Sequence, residues 1–423
     1  MQIPDLYALY CQHPSIQTDT RKLQNGDLFF ALKGPNFNGN QFAKQALEAG
    51  AAFAIIDEPV NFKDERLIMV RNALQTLQDL AKHHRGQFSI PFIAITGSNG
   101  KTTTKELVSE VLSQKYKTYI TVGNLNNHIG VPLTILSVKE DAEMAVIEMG
   151  ANHQKEIEGY CRYTMPTHGI ITNIGKAHLE GFGGEEGVKK GKGELFDYLR
   201  SNNGTAFIMS DFDYLREMSK GISIVKTYGT ADAEITGVAA KNNQFLWVEM
   251  TAGTGIKKIA THLVGDYNLP NVLVAVAVGK YFDVPEEALK NSLEHYVPTN
   301  SRSQLIEQDG NQVILDAYNA NPTSMKAAIE NFAKMEGEKV LLLGGMMELG
   351  AESIAEHMAI VKFISQFTWQ AVVLVGGDFA GINQSYLYFA DSLAAKEWLQ
   401  QQHFKEVKLL VKGSRSMQME RVL

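Results

Sequence analysis

Residues 95–104 read Ile95-Thr96-Gly97-Ser98-Asn99-Gly100-Lys101-Thr102-Thr103-Thr104, and they carry the strongest local signal in the chain. An apolar run at 92–95 leads into it, and the following residues, KELVSEVLSQ, are compatible with a helix. A strand, a glycine-rich turn and a helix in this order can surround an anion with backbone N–H groups. The stretch therefore predicts a phosphate-binding loop.

The loop is a short version of the common pattern. The first glycine of G-x-x-x-x-G-K-[ST] is missing, since Ile95 stands in its place, and G-x-x-G-K-T remains. Lys101 can reach the β- and γ-phosphates of a nucleotide, and the Thr102 hydroxyl is placed to bind Mg²⁺. The alternative interpretation is a tight strand–helix turn with a solvated lysine.

The zone around the loop, residues 89–296, alternates apolar strand patterns with helical ones. Strands are predicted at 145–149, 169–174 and 206–209, which favours a doubly wound, mostly parallel sheet. Residues 233–264 are richer in strand patterns, with Asn242-Asn243 as turn punctuation, and predict an antiparallel edge.

Two further α/β zones flank this one, so the fold class is α/β with three domains, at 1–88, 89–296 and 297–423. The first zone predicts strands at 28–32 and 52–56 and helices at 41–49 and 73–84. The third predicts strands at 313–315, 340–343, 372–375 and 407–411, and helices at 324–334 and 352–367.

Composition excludes several classes of protein. The 423 residues carry 40 Lys+Arg against 47 Asp+Glu, and a net charge of −7 argues against a nucleic-acid binder. Cys11 and Cys161 are the only cysteines, so no disulfide framework is expected. No apolar run reaches about 18 residues, which predicts no membrane insertion and a cytoplasmic protein.

Three side chains outside the loop are candidates for its chemistry. Glu148 ends the apolar run AVIEM at the edge where open α/β sheets bind ligands, although a strand-end charge is the plainer interpretation. His178 follows a predicted strand and would usually be a solvated loop histidine. Lys192 lies in the charge-rich segment 185–196, whose default interpretation is an exposed face.

Several motifs in order resemble the ATP-dependent Mur ligases. In the central zone these are TGSNGKTTTKE, NLNNHIGVPLTIL, EMGANHQKEIE, TNIGKAHLEGFG and KGKGELF. The third zone adds LDAYNANPTSM, LLLGGMMELGAES and VKGSRSMQME, and the first adds TDTRKLQNGDLFFALKGPNFNGNQFAKQALEAGA. The chain is most similar to the branch that joins D-alanyl-D-alanine to UDP-N-acetylmuramoyl-tripeptide through an acyl phosphate, and the likeness covers nearly the whole chain.

The resemblance implies a uridine-nucleotide domain, an ATP-binding domain and a Rossmann-like third domain that closes on ATP and binds the dipeptide; the protein would be a monomer. It assigns ATP binding to Gly97, Ser98, Asn99, Gly100, Lys101, Thr102, Thr103, Asn271, Arg302, Asp316 and Asn319, with Tyr318 beside them. It assigns the UDP-substrate to Thr20, Arg21, Asn126 and Asn127. Mg²⁺ would be held by Thr102, Glu148, His178 and a Lys192 carbamylated by CO₂, with Lys101, His178 and Lys192 as the catalytic groups.

The chain departs from the family pattern in two places. Asn38-Gly39-Asn40-Gln41-Phe42 stands where Asp-Gly-His-Asp-Phe is common, and Gly345-Met346-Met347 where Gly-Asp-Met is common. Two alternatives stay open. One is another amide ligase of the superfamily, either a folylpolyglutamate synthase or the ligase that adds the third amino acid, although its Asp-Asn-Pro-Arg motif is absent. The other is a nucleotide-dependent switch that makes no amide.

Overall fold

A computed structural model describes residues 1–240, 244–299, 301–382 and 385–423. The predicted punctuation at Asn242-Asn243 and the residue Asn300 lie outside the described residues. Three parallel-rich sheets follow one another along the chain, of four, nine and six strands, with one separate two-stranded ribbon. The α/β class and the three-part organisation predicted from the sequence are confirmed.

The first sheet has the order β1-β2-β5-β6 and is parallel throughout. Its strands and the ribbon β3–β4 are β1 (Ile16–Gln17), β2 (Leu28–Phe30), β3 (Lys33–Gly34), β4 (Phe37–Asn38), β5 (Phe53–Ile56) and β6 (Leu67–Met69). The helices of this part are α1 (Ile3–Gln12), α2 (Ala43–Glu48) and α3 (Ala73–Arg85), with 3₁₀ turns at Thr20–Lys22 and Gly39–Phe42.

The central sheet has the order β15-β14-β13-β12-β11-β10-β7-β9-β8. Its strands are β7 (Phe92–Thr96), β8 (Thr118–Ile120), β9 (Met144–Glu148), β10 (His168–Ile171), β11 (Thr205–Met209), β12 (Ile224–Gly229), β13 (Ile235–Ala239), β14 (Trp247–Ala252) and β15 (Lys258–Ala260). All pairs are parallel except β13–β14 and β14–β15, so the predicted antiparallel edge is confirmed.

Helices cover the central sheet, and its inner strands β7, β9, β10 and β11 are therefore buried along their whole length. They are α4 (Lys101–Leu112), α5 (Gly130–Leu136), α6 (Glu156–Thr164), α7 (Leu179–Phe182), α8 (Glu185–Ser201), α9 (Asp213–Met218), α10 (Leu269–Tyr281) and α11 (Glu286–His295), with a 3₁₀ turn at Asp266–Asn268. Helix α4 packs on α10 and α11, whereas α8 packs on α6.

The third sheet has the order β16-β17-β21-β18-β19-β20, with only the β16–β17 pair antiparallel. Its elements are β16 (Gln304–Gln308), β17 (Asn311–Asp316), α12 (Pro322–Ala333), β18 (Lys339–Gly344), α13 (Ser353–Ile364), β19 (Ala371–Val375), β20 (Leu387–Phe389), α14 (Ser392–Gln402) and β21 (Lys408–Lys412). The 3₁₀ turns here are Gly350–Glu352, Gly377–Gly381, Arg415–Met417 and Met419–Val422.

The predicted elements are present, with shifted ends. The strand predicted at 169–174 stops at Ile171, because residues 172–175 turn away to contact the phosphate-binding loop. The helix predicted at 352–367 begins at Ser353, after a 3₁₀ turn, and ends at Ile364. Among the described residues, no helix combines the length and apolarity needed to span a bilayer.

Candidate active site

The loop at Gly97–Gly100 leaves the carboxyl end of β7, the strand at which the chain changes direction across the sheet. Strands β8 and β9 lie on one side of β7, and β10, β11 and β12 on the other. Open α/β sheets bind ligands at such a switch point. Helix α4 begins at Lys101, directly after Gly100, whose φ of +79° suits glycine. The predicted strand–turn–helix is therefore present at the ligand-binding edge.

The end of β10 holds this loop in shape. The Ser98 backbone N–H donates to the Asn173 carbonyl at 2.9 Å, and the Asn99 N–H to Asn173 Oδ1 at 3.0 Å. Thr172 Oγ1 donates to the Asn99 carbonyl at 2.6 Å, and the Gly175 N–H donates to Ser98 Oγ at 2.9 Å. The residues after β10 thus hold the loop in its cradle shape. Sequence reasoning missed Thr172, Asn173 and Gly175, although their place after a neighbouring strand was a signal.

Gly97 should not tolerate a side chain. Its φ is +140°, and a Cβ there would lie 2.0 Å from Thr172 Oγ1. Gly97→Ala should destabilise the fold by roughly 1–3 kcal/mol and weaken nucleotide binding, because the loop must move off β10. Thermal unfolding and nucleotide titration measure both effects. Gly159→Ala is the matched control, since a Cβ there meets nothing within 4 Å on helix α6; a loss of stability as large as that of Gly97→Ala would contradict the account.

Lys101 is folded over its own loop. Its Nζ donates to the Gly97 carbonyl at 2.8 Å and to the Ser98 carbonyl at 3.2 Å. Burial lowers the pKa of Lys101 to about 8, with Glu148 opposing this shift and Arg302 adding to it. A cation in this environment gains from an anion nearby, so the loop is electrostatically suited to a phosphate.

Glu148 has a free oxygen in a buried place. It ends β9, is paired in register with Ile95 two residues before the loop glycine, and is 1% exposed. Its Oε1 accepts from Asn126 Nδ2 at 2.8 Å, whereas Oε2 is buried with no hydrogen-bond partner among the described residues. An unpartnered buried carboxylate oxygen is costly unless a cation binds it, so Glu148 fits a magnesium ligand. Thr102, also buried, is the second residue of helix α4, which follows the loop.

Lys192 is fully buried, and the default interpretation of its segment as an exposed face is wrong for this residue. Its Nζ donates to the Ala151 carbonyl at 2.8 Å and lies 4.9 Å from the centre of the Phe182 ring. Burial, and then the charge of Lys101, holds the pKa of Lys192 well below its ordinary value. Lys190, on the same helix, is exposed as predicted.

His178 is paired rather than solvated. It precedes α7 with a φ of +55°, and its Nδ1 contacts Glu348 Oε2 of the third sheet's domain. The hydrogen bond to His178 is the main cause that lowers the pKa of Glu348. Sequence reasoning missed Glu348, which lies 170 residues away along the chain.

The predicted nucleotide contacts Asn271 and Arg302 both lie beside the loop. Asn271 Oδ1 accepts from Thr104 Oγ1 at 3.0 Å, and a Cβ on Gly100 would be 2.7 Å from this same oxygen. The Arg302 guanidinium stacks 3.6 Å from the centre of the Tyr318 ring, and its Nε is buried without a hydrogen-bond partner in the described part of the chain. An unpaired donor near Lys101 suits an anionic ligand.

Asp316 and Asn319 are engaged within the third domain. Lys412, nearly fully buried, donates to Asp316 Oδ2 at 2.5 Å, and the Ser303 N–H donates to Asp316 Oδ1 at 3.2 Å. The Asn319 amide oxygen accepts from the Ala320 N–H at 2.9 Å. These contacts fix the DAYNANP turn but place neither side chain on the loop.

A neighbouring residue of the same turn makes that contact instead. Asn321 Nδ2 donates to Asn99 Oδ1 at 2.7 Å, while Asn321 Oδ1 caps helix α12 by accepting from the Ser324 N–H. The Lys176 N–H also donates to Thr323 Oγ1 at 3.1 Å. The third domain therefore already touches the phosphate-binding loop. Asn321 and Thr323 lie two and four residues after the predicted Asn319, but no pattern singled them out.

The side chains predicted to bind the uridine substrate are not brought together as closely as those around the phosphate-binding loop. Arg21 is 86% exposed and forms two hydrogen bonds to Asp19, with Thr20 opening the same 3₁₀ turn. Asn126 bonds Glu148, as described above, and Asn127 Oδ1 accepts from the N–H groups at the start of α5. Asn126 alone of this group is brought to the loop.

Asn40, which departs from the family pattern, is hydrogen-bonded within the first domain. Asn40 is buried, its Nδ2 donates to Asp57 Oδ1 at 2.8 Å and its Oδ1 accepts from the Asp57 N–H at 3.0 Å. The amide therefore serves as a structural bracket at the end of β5.

Segments of this chain match three family models. Residues 95–279 match the Mur ligase middle domain, residues 301–415 the Mur ligase, glutamate ligase domain, and residues 14–85 the Mur ligase family, catalytic domain.

Curated relatives include the UDP-N-acetylmuramoyl-tripeptide–D-alanyl-D-alanine ligases of Bacillus subtilis and Escherichia coli. The first is 38% identical over 79% of this chain and 74% of the relative, and the second 36% identical over 97% and 92%. A crystal structure of MurF from Acinetobacter baumannii is similar with a TM-score of 0.88 and 31% identity, covering 96% of this chain and 92% of that one. MurF ligase from Thermotoga maritima in complex with ADP is similar with a TM-score of 0.87 and 26% identity, covering 96% of each chain.

Proposed function

This chain belongs to the Mur ligase family, and from that premise we propose that it joins D-alanyl-D-alanine to UDP-N-acetylmuramoyl-tripeptide at the expense of ATP. Relatives that carry this activity in their names match over nearly the full chain. The observation that carries the proposal is the loop Gly97–Gly100, with Lys101 and the free oxygen of Glu148 beside it and the third domain docked on it through Asn321.

The reaction solves a known chemical problem in two steps. A carboxylate is a poor electrophile, so one of its oxygens first attacks the γ-phosphorus of ATP, and the bond to the β-phosphate oxygen breaks to release ADP. The amine of D-alanyl-D-alanine then attacks the acyl carbon, loses a proton, and expels phosphate as the C–O bond breaks. The products are an amide, ADP and phosphate.

The loop supplies positioning and charge for the first step. Gly97, Ser98 and Asn99 shape the loop around the phosphates, because Asn173 accepts hydrogen bonds from the Ser98 and Asn99 N–H groups. The backbone N–H groups from Gly100 to Thr103, at the start of α4, bind the phosphates. Lys101 releases its two loop carbonyls and turns its ammonium to the β- and γ-phosphates. Because phosphoryl transfer depends on charge neutralisation, Lys101 carries a large share of the rate.

Glu148 and Thr102 would form the first Mg²⁺ site, and His178 and a modified Lys192 would form the second. When bound, the metal ions neutralise developing charge on the transferred phosphoryl group. Among the described residues, no group of three or more His, Cys, Asp or Glu side chains could hold a metal by itself. The chain therefore offers Glu148, His178, the Thr102 hydroxyl and a lysine derivative, and the phosphates of the nucleotide complete the metal ligands.

Lys192 is carbamylated in this proposal. Its neutral amine attacks CO₂, a proton leaves, and the cation becomes an anion whose oxygens suit a hard metal ion. The complete burial of Lys192 and its lowered pKa support this, since a charged ammonium beside Lys101 and Mg²⁺ would be unfavourable.

The substrates are distributed over the three zones 1–88, 89–296 and 297–423. Thr20 and Arg21 bind the uridine diphosphate, and Asn126 and Asn127 receive the muramoyl part. Asn271 and Arg302 hold the nucleotide beside the loop, and Asp316 and Asn319 approach it from the third domain, which also binds the dipeptide. We place the enzyme in the cytoplasm as a monomer.

Two other functions are tested by one assay. ADP release should require UDP-N-acetylmuramoyl-tripeptide and D-alanyl-D-alanine together, and mass detection should show the pentapeptide product. ADP release with a folate in place of the tripeptide substrate, or with a single amino acid in place of the dipeptide, would favour another amide ligase of the superfamily. Nucleotide binding with no amide under any of these conditions would favour the switch.

Closure of the third domain should depend on the amide of Asn321. Asn321→Asp keeps the oxygen that caps α12 but loses the N–H donor to Asn99, so turnover should fall about tenfold, while ATP binding to the open form changes less. Solution scattering with both substrates should show less compaction than in the parent enzyme. Asn319→Ala should also depress turnover, and the compaction of this variant is compared with that of Asn321→Asp. Full compaction in Asn321→Asp would contradict the proposed role of Asn321.

A further inference from the structure

Glu348 contacts the central domain with both its side chain and its backbone. The carboxylate Oε2 meets His178 Nδ1, and the Glu348 carbonyl accepts from the Glu180 N–H at 3.3 Å. Two residues on, a Cβ at Gly350 would lie 3.2 Å from the Glu180 Cβ, so the two segments pack closely. One short loop of the third domain, residues 345–350, thus docks on the turn that carries His178.

Hydrogen bonds within the third domain fix the shape of this docking loop. The Met346 N–H donates to Nε2 of the buried His357 at 2.9 Å, and the Met347 N–H donates to Ser414 Oγ at 3.0 Å. Glu348 itself has a φ of +62°, a conformation that non-glycine residues seldom adopt. Backbone conformations of this kind, when the surrounding structure holds them, are typical of functional sites. At Glu348 the conformation places the carboxylate against His178.

The contact has a chemical consequence for the imidazole. A carboxylate only accepts hydrogen bonds, so the proton must be on Nδ1 of His178. The neutral ring then keeps its lone pair on Nε2, which is the atom left to bind a metal ion. Histidines that bind metals commonly donate their other N–H to a carboxylate, and this partner fixes the tautomer and raises the basicity of the ligand atom.

We propose that Glu348 is a positioning residue for His178: on closure it holds the imidazole as the Nδ1–H tautomer and leaves Nε2 ready for a divalent cation. The inference rests on the proposed function, which makes His178 a ligand. Since His178 is on the central domain and Glu348 on the third, the second metal place is complete only when the third domain has docked. Closure and metal binding are thereby linked through one hydrogen bond.

Nitrogen NMR of the whole chain labelled with ¹⁵N-histidine tests the tautomer directly. The sample contains the tripeptide substrate and a non-hydrolysable ATP analogue, with divalent metal removed by a chelator, and His178→Gln identifies the signal among the 11 histidines. In the parent chain the Nδ1 of His178 should have the shift of a protonated ring nitrogen and Nε2 that of an unprotonated one. Glu348→Ala should move the population toward the Nε2–H form, which free histidine favours.

Two matched variants and a metal titration complete the test. Glu348→Gln keeps an oxygen acceptor and should retain most of the Nδ1–H form. Glu352→Ala, at an exposed position two residues beyond the docking loop, should change nothing. Mn²⁺ affinity measured by electron paramagnetic resonance should fall about 10–100-fold in Glu348→Ala. An Nε2–H form in the parent chain, or an unchanged tautomer in Glu348→Ala, would overturn the inference even if the parent makes amide normally. Absence of amide would instead refute the proposed function.

Discussion

Lys101→Ala should abolish ligation while leaving the protein folded. Removing the ammonium takes away the one loop side chain that can neutralise the β- and γ-phosphates, and we expect turnover to fall at least about 10³-fold. Folding should change little, because the alanine removes a buried charge whose pKa burial already lowers to about 8. ADP release and thermal unfolding measure the two effects side by side.

Lys101→Arg is the informative partner of this variant. It keeps the charge but replaces a compact ammonium by a planar fork, which the tight contacts with the Gly97 and Ser98 carbonyls do not suit. Turnover should be partly restored relative to alanine. Ligation at a near-normal rate by Lys101→Ala would mean that this loop is not the catalytic ATP site.

Lys192→Ala should be nearly inactive as well, for a different reason. The proposed carbamate is the only anionic group that this buried position can supply to the second metal place. A short carboxylic acid added in solution should restore part of the activity by replacing the carbamate oxygens, and removal of dissolved CO₂ should reversibly lower the activity of the parent enzyme.

Lys190→Ala is the control for Lys192→Ala. Both lysines are in helix α8, but Lys190 is exposed and should be replaceable with little effect. Normal ligation by Lys192→Ala, or intact-protein mass and a crystallographic map that both show an unmodified amine, would refute the carbamate.

The sequence predicted the phosphate-binding loop well, because a strand, a glycine-rich turn and a helix are local features. The order of apolar runs also predicted three α/β parts with a mostly parallel central sheet, although strand ends moved by one to three residues. The burial of Lys192 was not predicted, although the helical pattern around it contains the signal. Val188, Lys192, Leu195, Phe196 and Leu199 share one helical face and are all buried, whereas Lys190 lies off that face.

Contacts between domains could not be predicted in this way. The pairs Asn321–Asn99 and Glu348–His178 join residues 222 and 170 positions apart, and their meeting depends on how one folded domain is placed on another. Local periodicity carries no information about that placement. The hydrogen bond that Asn271 accepts from Thr104 likewise follows from the packing of α10 on α4 rather than from a local sequence pattern.

Transfer of oxygen from substrate to phosphate tests the acyl-phosphate ligation most directly. UDP-N-acetylmuramoyl-tripeptide labelled with ¹⁸O in its terminal carboxylate is incubated with the enzyme, ATP, Mg²⁺ and D-alanyl-D-alanine, and the phosphate is analysed by mass spectrometry. The account predicts one ¹⁸O in each phosphate released and one retained in the new amide carbonyl. Unlabelled phosphate, or phosphate released without an amide, would contradict it.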